Sequence, residues 1–362
     1  MIDNDISRRI EILRYPLMLA IVLFHIPAGL IYNDIKTSHD FTELFMVFFS
    51  WLVGGMGVPF FFLISGFLLF KEFDATLELY KNKVYSRVKT LLVPFVLWSL
   101  IALALKTAIL SVPMLAGLDT VTDTTINEYT GAALILRRAF DLFILPTIGP
   151  LWFIRDLFIM TLLSPLVWFA AKKAPLPGLA AMCGVWFFRI NTDAILLSDL
   201  HETLPVFFLS ACVWAGKWDI KKLDRYSVFI GVVYALCAAL TLWAISADAI
   251  SSFHSVIHKL AVLFGILFFW TYSASPRGNL DLVLGKLSQY SFFVYAVHVP
   301  FLDLLQKLYL KFNFPRSDSE IMMFYTITWV VTAGATTFIA VAAKRLTPRA
   351  YNLLIGGRSA DE

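Results

Sequence analysis

Ten stretches of this chain are long and apolar enough, or nearly so, to cross a lipid bilayer. They lie at roughly 15–33, 44–70, 91–111, 149–171, 178–190, 201–216, 226–246, 257–274, 288–310 and 320–343. A crossing helix needs about 20 such residues. Backbone amides in hydrocarbon must bond within their own segment, so each stretch reads as a helix. Composition agrees: 59% of the 362 residues are apolar and 15% charged, against about 45–50% and 25% in soluble domains. The same numbers exclude disorder. Three cysteines, Cys183, Cys212 and Cys237, exclude a disulfide scaffold and have no metal-ligand spacing. A dispersed net charge of +4 argues against nucleic acid. The expectation is one all-α, polytopic membrane bundle of about ten helices spanning 1–362, with membrane lipids as its surroundings.

Lysine and arginine set its orientation. Segments 1–14, 71–90, 172–177, 217–225, 275–287 and 344–362 hold 20 of the 30 basic residues. By the positive-inside rule these segments, and hence both termini, are cytoplasmic. No small-residue cleavage site follows the first span, which is expected to be retained. The fifth and sixth spans are short, with Arg189 and Glu202 at their margins. The second carries Gly54-Gly55-Met56-Gly57-Val58-Pro59, which predicts a kink or break. Val112–Ile148, on the outer side, reads equally as a lid or acceptor platform and as an irregular loop with one amphipathic helix.

Ionisable groups inside hydrocarbon are costly and are functional candidates by default. His25 lies in the middle of the first expected span and His298 in the ninth; Arg155 and Asp156 lie in the outer half of the fourth. Arg14 precedes His25 by eleven residues, about three helical turns and roughly 16.5 Å, so both fall on nearly one face. A long molecule with an anionic end at Arg14 and a reactive end at His25 would bridge them. A coenzyme A thioester has that shape, and histidine is the usual base near neutral pH. The plainer alternatives stand beside this. Arg14 also suits a positive-inside anchor, and each histidine a polar contact between helices. Arg155 and Asp156 point in different directions on a helix, so each is expected to need its own partner.

Four segments, in order, resemble the membrane acyltransferase 3 family. They are Arg14 through His25, Gly57 through Ser65-Gly66-Phe67, Gly149-Pro150-Leu151-Trp152-Phe153, and Ser288 through Tyr295 to His298-Val299-Pro300. The resemblance implies an integral-membrane O-acyltransferase of about ten helices. Such an enzyme moves an acyl group, often acetyl, from cytoplasmic acyl-CoA to a hydroxyl of a cell-surface or secreted glycan or its lipid-linked precursor. His25 matches the family's catalytic residue, as base or acyl carrier, and Arg14 its donor-binding residue. Many members carry two arginines three apart before the third helix. Here Lys83, Arg87 and Lys89 stand instead, able to offer charge to CoA phosphates or to serve as ordinary positive-inside charge. His298, Tyr295, Trp152, Arg155 and Asp156 are further candidates for the acceptor side or for supporting the site.

The expected protein is therefore a stand-alone enzyme of a bacterial inner membrane, in an exopolysaccharide or lipopolysaccharide route. It would hold no metal and no bound cofactor, and would use acetyl-CoA or another acyl-CoA as donor substrate. A glycan transporter or flippase is the rival from another class. Its usual marks are internal repeats and paired broken helices, and the chain shows no repeat and one interrupted helix. A catalytically silent scaffold is a third reading.

Overall fold

A computed structural model describes residues 4–26, 41–110, 148–188, 200–247 and 252–358. Among them the chain is helical throughout, with no strand. Twelve helices follow in order: α1 (Asn4–Phe24), α2 (Phe41–Phe70), α3 (Leu77 to Leu110), α4 (Gly149–Lys173), α5 (Pro175–Phe188), α6 (Leu200–Ala215), α7 (Ile220–Ser246), α8 (Ser252–Tyr272), α9 (Asn279–Ser288), α10 (Ser291–Phe312), α11 (Asp318–Leu346) and α12 (Pro348–Leu354). Each of the ten expected segments overlaps one of these helices. Six helices, α2, α3, α4, α7, α8 and α11, are long and apolar enough to cross a membrane. The others fall short for visible reasons: α5 has 14 residues and α6 has 16, while α1 and α10 carry charges along their length.

Apolar side chains that would be a defect in water cover the outside. Val228, Phe338 and Leu166 are 81%, 73% and 70% exposed, as suits a surface solvated by lipid. The protein is a multi-pass membrane protein. Inside a bilayer the hydrophobic effect gives little preference for one helix–helix contact over another, so close packing and polar contacts must specify the arrangement.

The α1 helix is the hub, packed against α2, α9, α10 and α11. Its N-terminal end is locked by charge. Arg9 is buried and grips Asp224 of α7 through two bonds, 2.8 and 2.6 Å, while its Nε donates to Asp5 at 2.8 Å. Arg8 reaches Asp281 of α9 and the carbonyls of Ser273 and Ala274. Its other end stops earlier than the 15–33 span predicted. The helix ends at Phe24, and His25 lies in the terminal turn rather than mid-span. Pro27 supplies the reason, since a proline disfavours helical backbone at the residue before it. Pro27 also has no N–H to offer the Leu23 carbonyl. The Ile26 N–H and Ser50 Oγ of α2 donate there, at 3.3 and 3.0 Å, and Ser50 Oγ shares a 2.7 Å bond with the Tyr325 hydroxyl of α11.

The glycine-rich interruption of α2 does not break it. The helix runs on as a π-helical stretch, Phe48–Val53, and a 3₁₀ turn, Gly54–Met56. The glycines serve a crossing. A Cβ at Gly54 would meet the Ala20 carbonyl at 2.8 Å, and one at Gly57 would meet Ile21 at 2.6 Å. Gly66 permits a second crossing: its Cβ would lie 2.9 Å from Phe207 of α6, where Ser210 Oγ bonds the Leu63 carbonyl at 2.8 Å.

Candidate active site

A cavity of about 510 Å³ lies beside α1, within the roughly 300–1,000 Å³ usual for small-molecule sites. One stripe of α1 forms its wall: Arg14, Met18, Ile21 and His25, spaced four, three and four residues apart. That spacing keeps side chains on one helix face. The cavity therefore extends along roughly 16.5 Å of α1, three turns, with an arginine near one end and a histidine near the other. Val58, Phe61, Ser65 and Leu68 of α2, Trp152, Phe153 and Leu157 of α4, and Phe292 and Tyr295 of α10 complete a mostly apolar and aromatic middle.

His25 does not stand alone. His298 of α10 places Nε2 3.5 Å from His25 Nδ1, and the rings meet edge-to-face at 5.0 Å between centroids. The carbonyls around them assign the protons. His298 Nδ1 lies 2.6 Å from the Tyr295 carbonyl, which can only accept, so Nδ1 carries the hydrogen and Nε2 a lone pair. His25 Nδ1 lies 2.9 Å from the Ile21 carbonyl and is likewise protonated. Its N–H faces both the Ile21 carbonyl and the His298 lone pair. The remaining nitrogen of His25, Nε2, is thereby left basic. His298 is fully buried and is held by its own helix, and α10 is tied to the Gly149–Leu151 turn by a hydrogen bond from the Tyr295 hydroxyl to the Pro150 carbonyl.

Three guanidinium groups line the other end: Arg14, Arg87 and Arg358. No carboxylate among the described residues comes within salt-bridge distance of any of them. Arg87 arrives from α3 just before a π-helical stretch, Val88–Leu92. Arg358 arrives from the turn after α12. Residue type alone did not mark Arg358, which reads as one more basic residue of a polar tail; its position depends on how the tail folds back on α3.

The other candidates divide. Trp152 and Tyr295 line the cavity. Lys83 does not; its Nζ donates to the Lys71 carbonyl at 3.1 Å. Lys89 is exposed, with Nζ 4.4 Å from the Tyr85 ring centroid, and also lies outside the lining. Arg155 and Asp156 were expected to need separate partners. They also pair with each other, Nε to Oδ1 at 2.8 Å, buried and outside the lining. The Arg side chain is long enough to fold back across the angle between adjacent helix positions. Arg189 and the stretch Val112–Ile148, except its last residue, lie outside the described residues. No group of three or more His, Cys, Asp or Glu that could hold a metal occurs among the described residues.

Residues 7–345 match the family described as acyltransferase domain. The chain is 26% identical over 371 residues to the succinoglycan biosynthesis protein ExoH of Rhizobium meliloti (strain 1021), covering 99% of this chain and 94% of that one. No solved structure matches.

Proposed function

The chain belongs to the acyltransferase-domain family, and from that premise we propose that it is an O-acyltransferase of a bacterial inner membrane. It takes an acyl group, acetyl in the first instance, from cytoplasmic acyl-CoA. It transfers that group to a hydroxyl of an exopolysaccharide or of its lipid-linked precursor. The acceptor class is drawn from the succinoglycan role named for the relative. The fold in this reading has about ten crossings and both termini in the cytoplasm.

One observation carries the reading: a single cavity has a basic histidine nitrogen near one end and a cluster of arginines near the other. Arg14 and Arg87 hold the donor's phosphates, Arg giving the planar two-point grip that suits them. The apolar middle receives the donor's uncharged arm and brings the thioester to His25. The acceptor hydroxyl gives its proton to His25 Nε2 as its oxygen bonds the thioester carbon. The carbon–sulfur bond then breaks, and the departing sulfur takes the proton from the imidazolium. During the step the His298 lone pair faces the Nδ1–H of the charged ring and stabilises it.

The test uses protein in lipid nanodiscs with radiolabelled acetyl-CoA and an extract of membrane glycolipids. Wild type is expected to consume thioester and label a glycolipid, and a folded His25→Ala protein to do neither at a measurable rate. Label that stays on the protein when no acceptor is present would make His25 Nε2 the acyl carrier rather than the base. Full transfer by His25→Ala would remove His25 from the chemistry. Movement of a glycan without thioester loss would favour the transporter.

A further inference from the structure

The C-terminal turn carries features that neither the fold nor the donor reading above requires. Gly356 and Gly357 both have φ of +70°, the left-handed region that glycine enters without strain. A Cβ at Gly356 would lie 2.7 Å from Thr90 Cα, so the turn presses on the α3 backbone as only glycine allows. It meets α3 at Thr90, in the π-helical stretch just before Pro94. Arg358 Nη2 donates to that carbonyl at 2.6 Å, and Trp98 Nε1 secures the Leu354 carbonyl at 3.1 Å. Arg358 is thus held in place by the fold, with its guanidinium 4.0 Å from the Phe292 ring centroid.

Phe292 is the second residue of α10, a 22-residue helix that begins without a side-chain cap. A helix start offers unpaired amide donors and a partial positive charge. Two buried hydroxyls lining the cavity, Ser291 Oγ at the first position of α10 and Thr90 Oγ1, have no hydrogen-bond partner. Burial, then the charges of Arg87 and Arg14, push the Arg358 pKa down. Cationic groups, a helix start and two unpartnered hydroxyls converge on one spot, which is the chemistry of a phosphate seat.

We propose that Arg358 and the N-terminus of α10 form a phosphate-binding site for the nucleotide end of the acyl-CoA donor, so that the C-terminal turn completes the donor site. This rests on the cavity being the donor site. Anionic lipid headgroups share the chemistry, and the test separates the two. CoA affinity is measured by equilibrium dialysis in nanodiscs of phosphatidylcholine alone, for wild type, Arg358→Ala, Arg358→Lys and Ser291→Ala. Turnover is followed with acetyl-CoA and with acetyl-pantetheine, which lacks phosphates.

The expected result is CoA binding weaker by about 10- to 100-fold in Arg358→Ala, the loss of a charged hydrogen-bonding group. Arg358→Lys should fall between, and Ser291→Ala should lose less. The KM for acetyl-pantetheine should not respond to Arg358. Wild-type affinity for CoA in Arg358→Ala would overturn the proposal. Equal loss with both donors would assign Arg358 a structural role and also overturn it. Unchanged CoA affinity with lost stabilisation by added phosphatidylglycerol would assign the seat to lipid. Absence of CoA binding by folded wild type would instead sink the donor reading beneath it.

Discussion

A histidine whose Nδ1–H faces a carbonyl and a neighbouring lone pair keeps one basic nitrogen and one orientation. His298 supplies half of that constraint to His25. Replacing His298 with Ala should lower kcat by about 10²-fold, the lower range for a general-base step, while leaving the donor KM in place. His298→Gln, which retains an acceptor, should recover part of the rate. Equal rates for both variants would make the contact incidental. At the other end, Arg14→Ala should raise the donor KM by about 10-fold or more with kcat little changed, seen by steady-state kinetics in acetyl-CoA. An unchanged KM would take Arg14 out of the donor site. Arg14 and His25 were legible in the sequence because helix periodicity alone puts positions eleven apart on one stripe. The His25–His298 contact was not, because it joins residues 273 apart in sequence. Arg358 was hidden for the same reason: its place depends on two left-handed glycines and on the Thr90 carbonyl, 268 residues away.

At the scale of helices, the site depends on how closely α2 and α10 approach α1. Gly54 sits against α1 backbone, which cannot swing aside as a side chain can. Gly54→Val should therefore push α2 from the His25 turn, destabilising the protein by about 1–3 kcal/mol and lowering activity further than the stability loss alone explains. A thermal unfolding curve and an activity assay on the same preparation check this; wild-type values for both would contradict the crossing. The Gly54–Pro59 run was visible as an interruption, yet its outcome was not. Glycine spacing does not say whether a helix breaks or tightens, and the partner helix decides. The anchor at the start of α1 gives a pH dependence. Burial would raise the Asp5 pKa, but hydrogen bonds from Arg9 and Arg8 outweigh it and hold Asp5 below its ordinary 3.8. A group depressed in the folded state stabilises fully above its unfolded pKa, and that stability is lost as pH falls through the folded value. The apparent Tm should drop as pH is lowered below about 4, and by less in Asp5→Asn.

For the molecule as a whole, the basic segments predict one orientation. A fluorescent protein fused after Glu362 should fold and fluoresce in cells, and alkaline phosphatase at the same point should stay inactive; the reverse would put the C-terminus outside. The helical class and membrane habit were plain from apolar run lengths, because hydrocarbon leaves a backbone few alternatives. Which helices surround α1 was not, since that order comes from crossings such as Gly54 on Ala20 and locks such as Arg9 on Asp224, each made between distant segments. The central claim is that one cavity holds both ends of one donor. Its most direct test is an electron cryomicroscopy structure of the protein in nanodiscs with a CoA analogue whose thioester sulfur is replaced by carbon. The account predicts the phosphates at Arg14 and Arg87 and the acyl carbonyl within hydrogen-bond reach of an acceptor hydroxyl placed on His25 Nε2. Density for the analogue outside this cavity, or with its acyl end at the arginines, would contradict it.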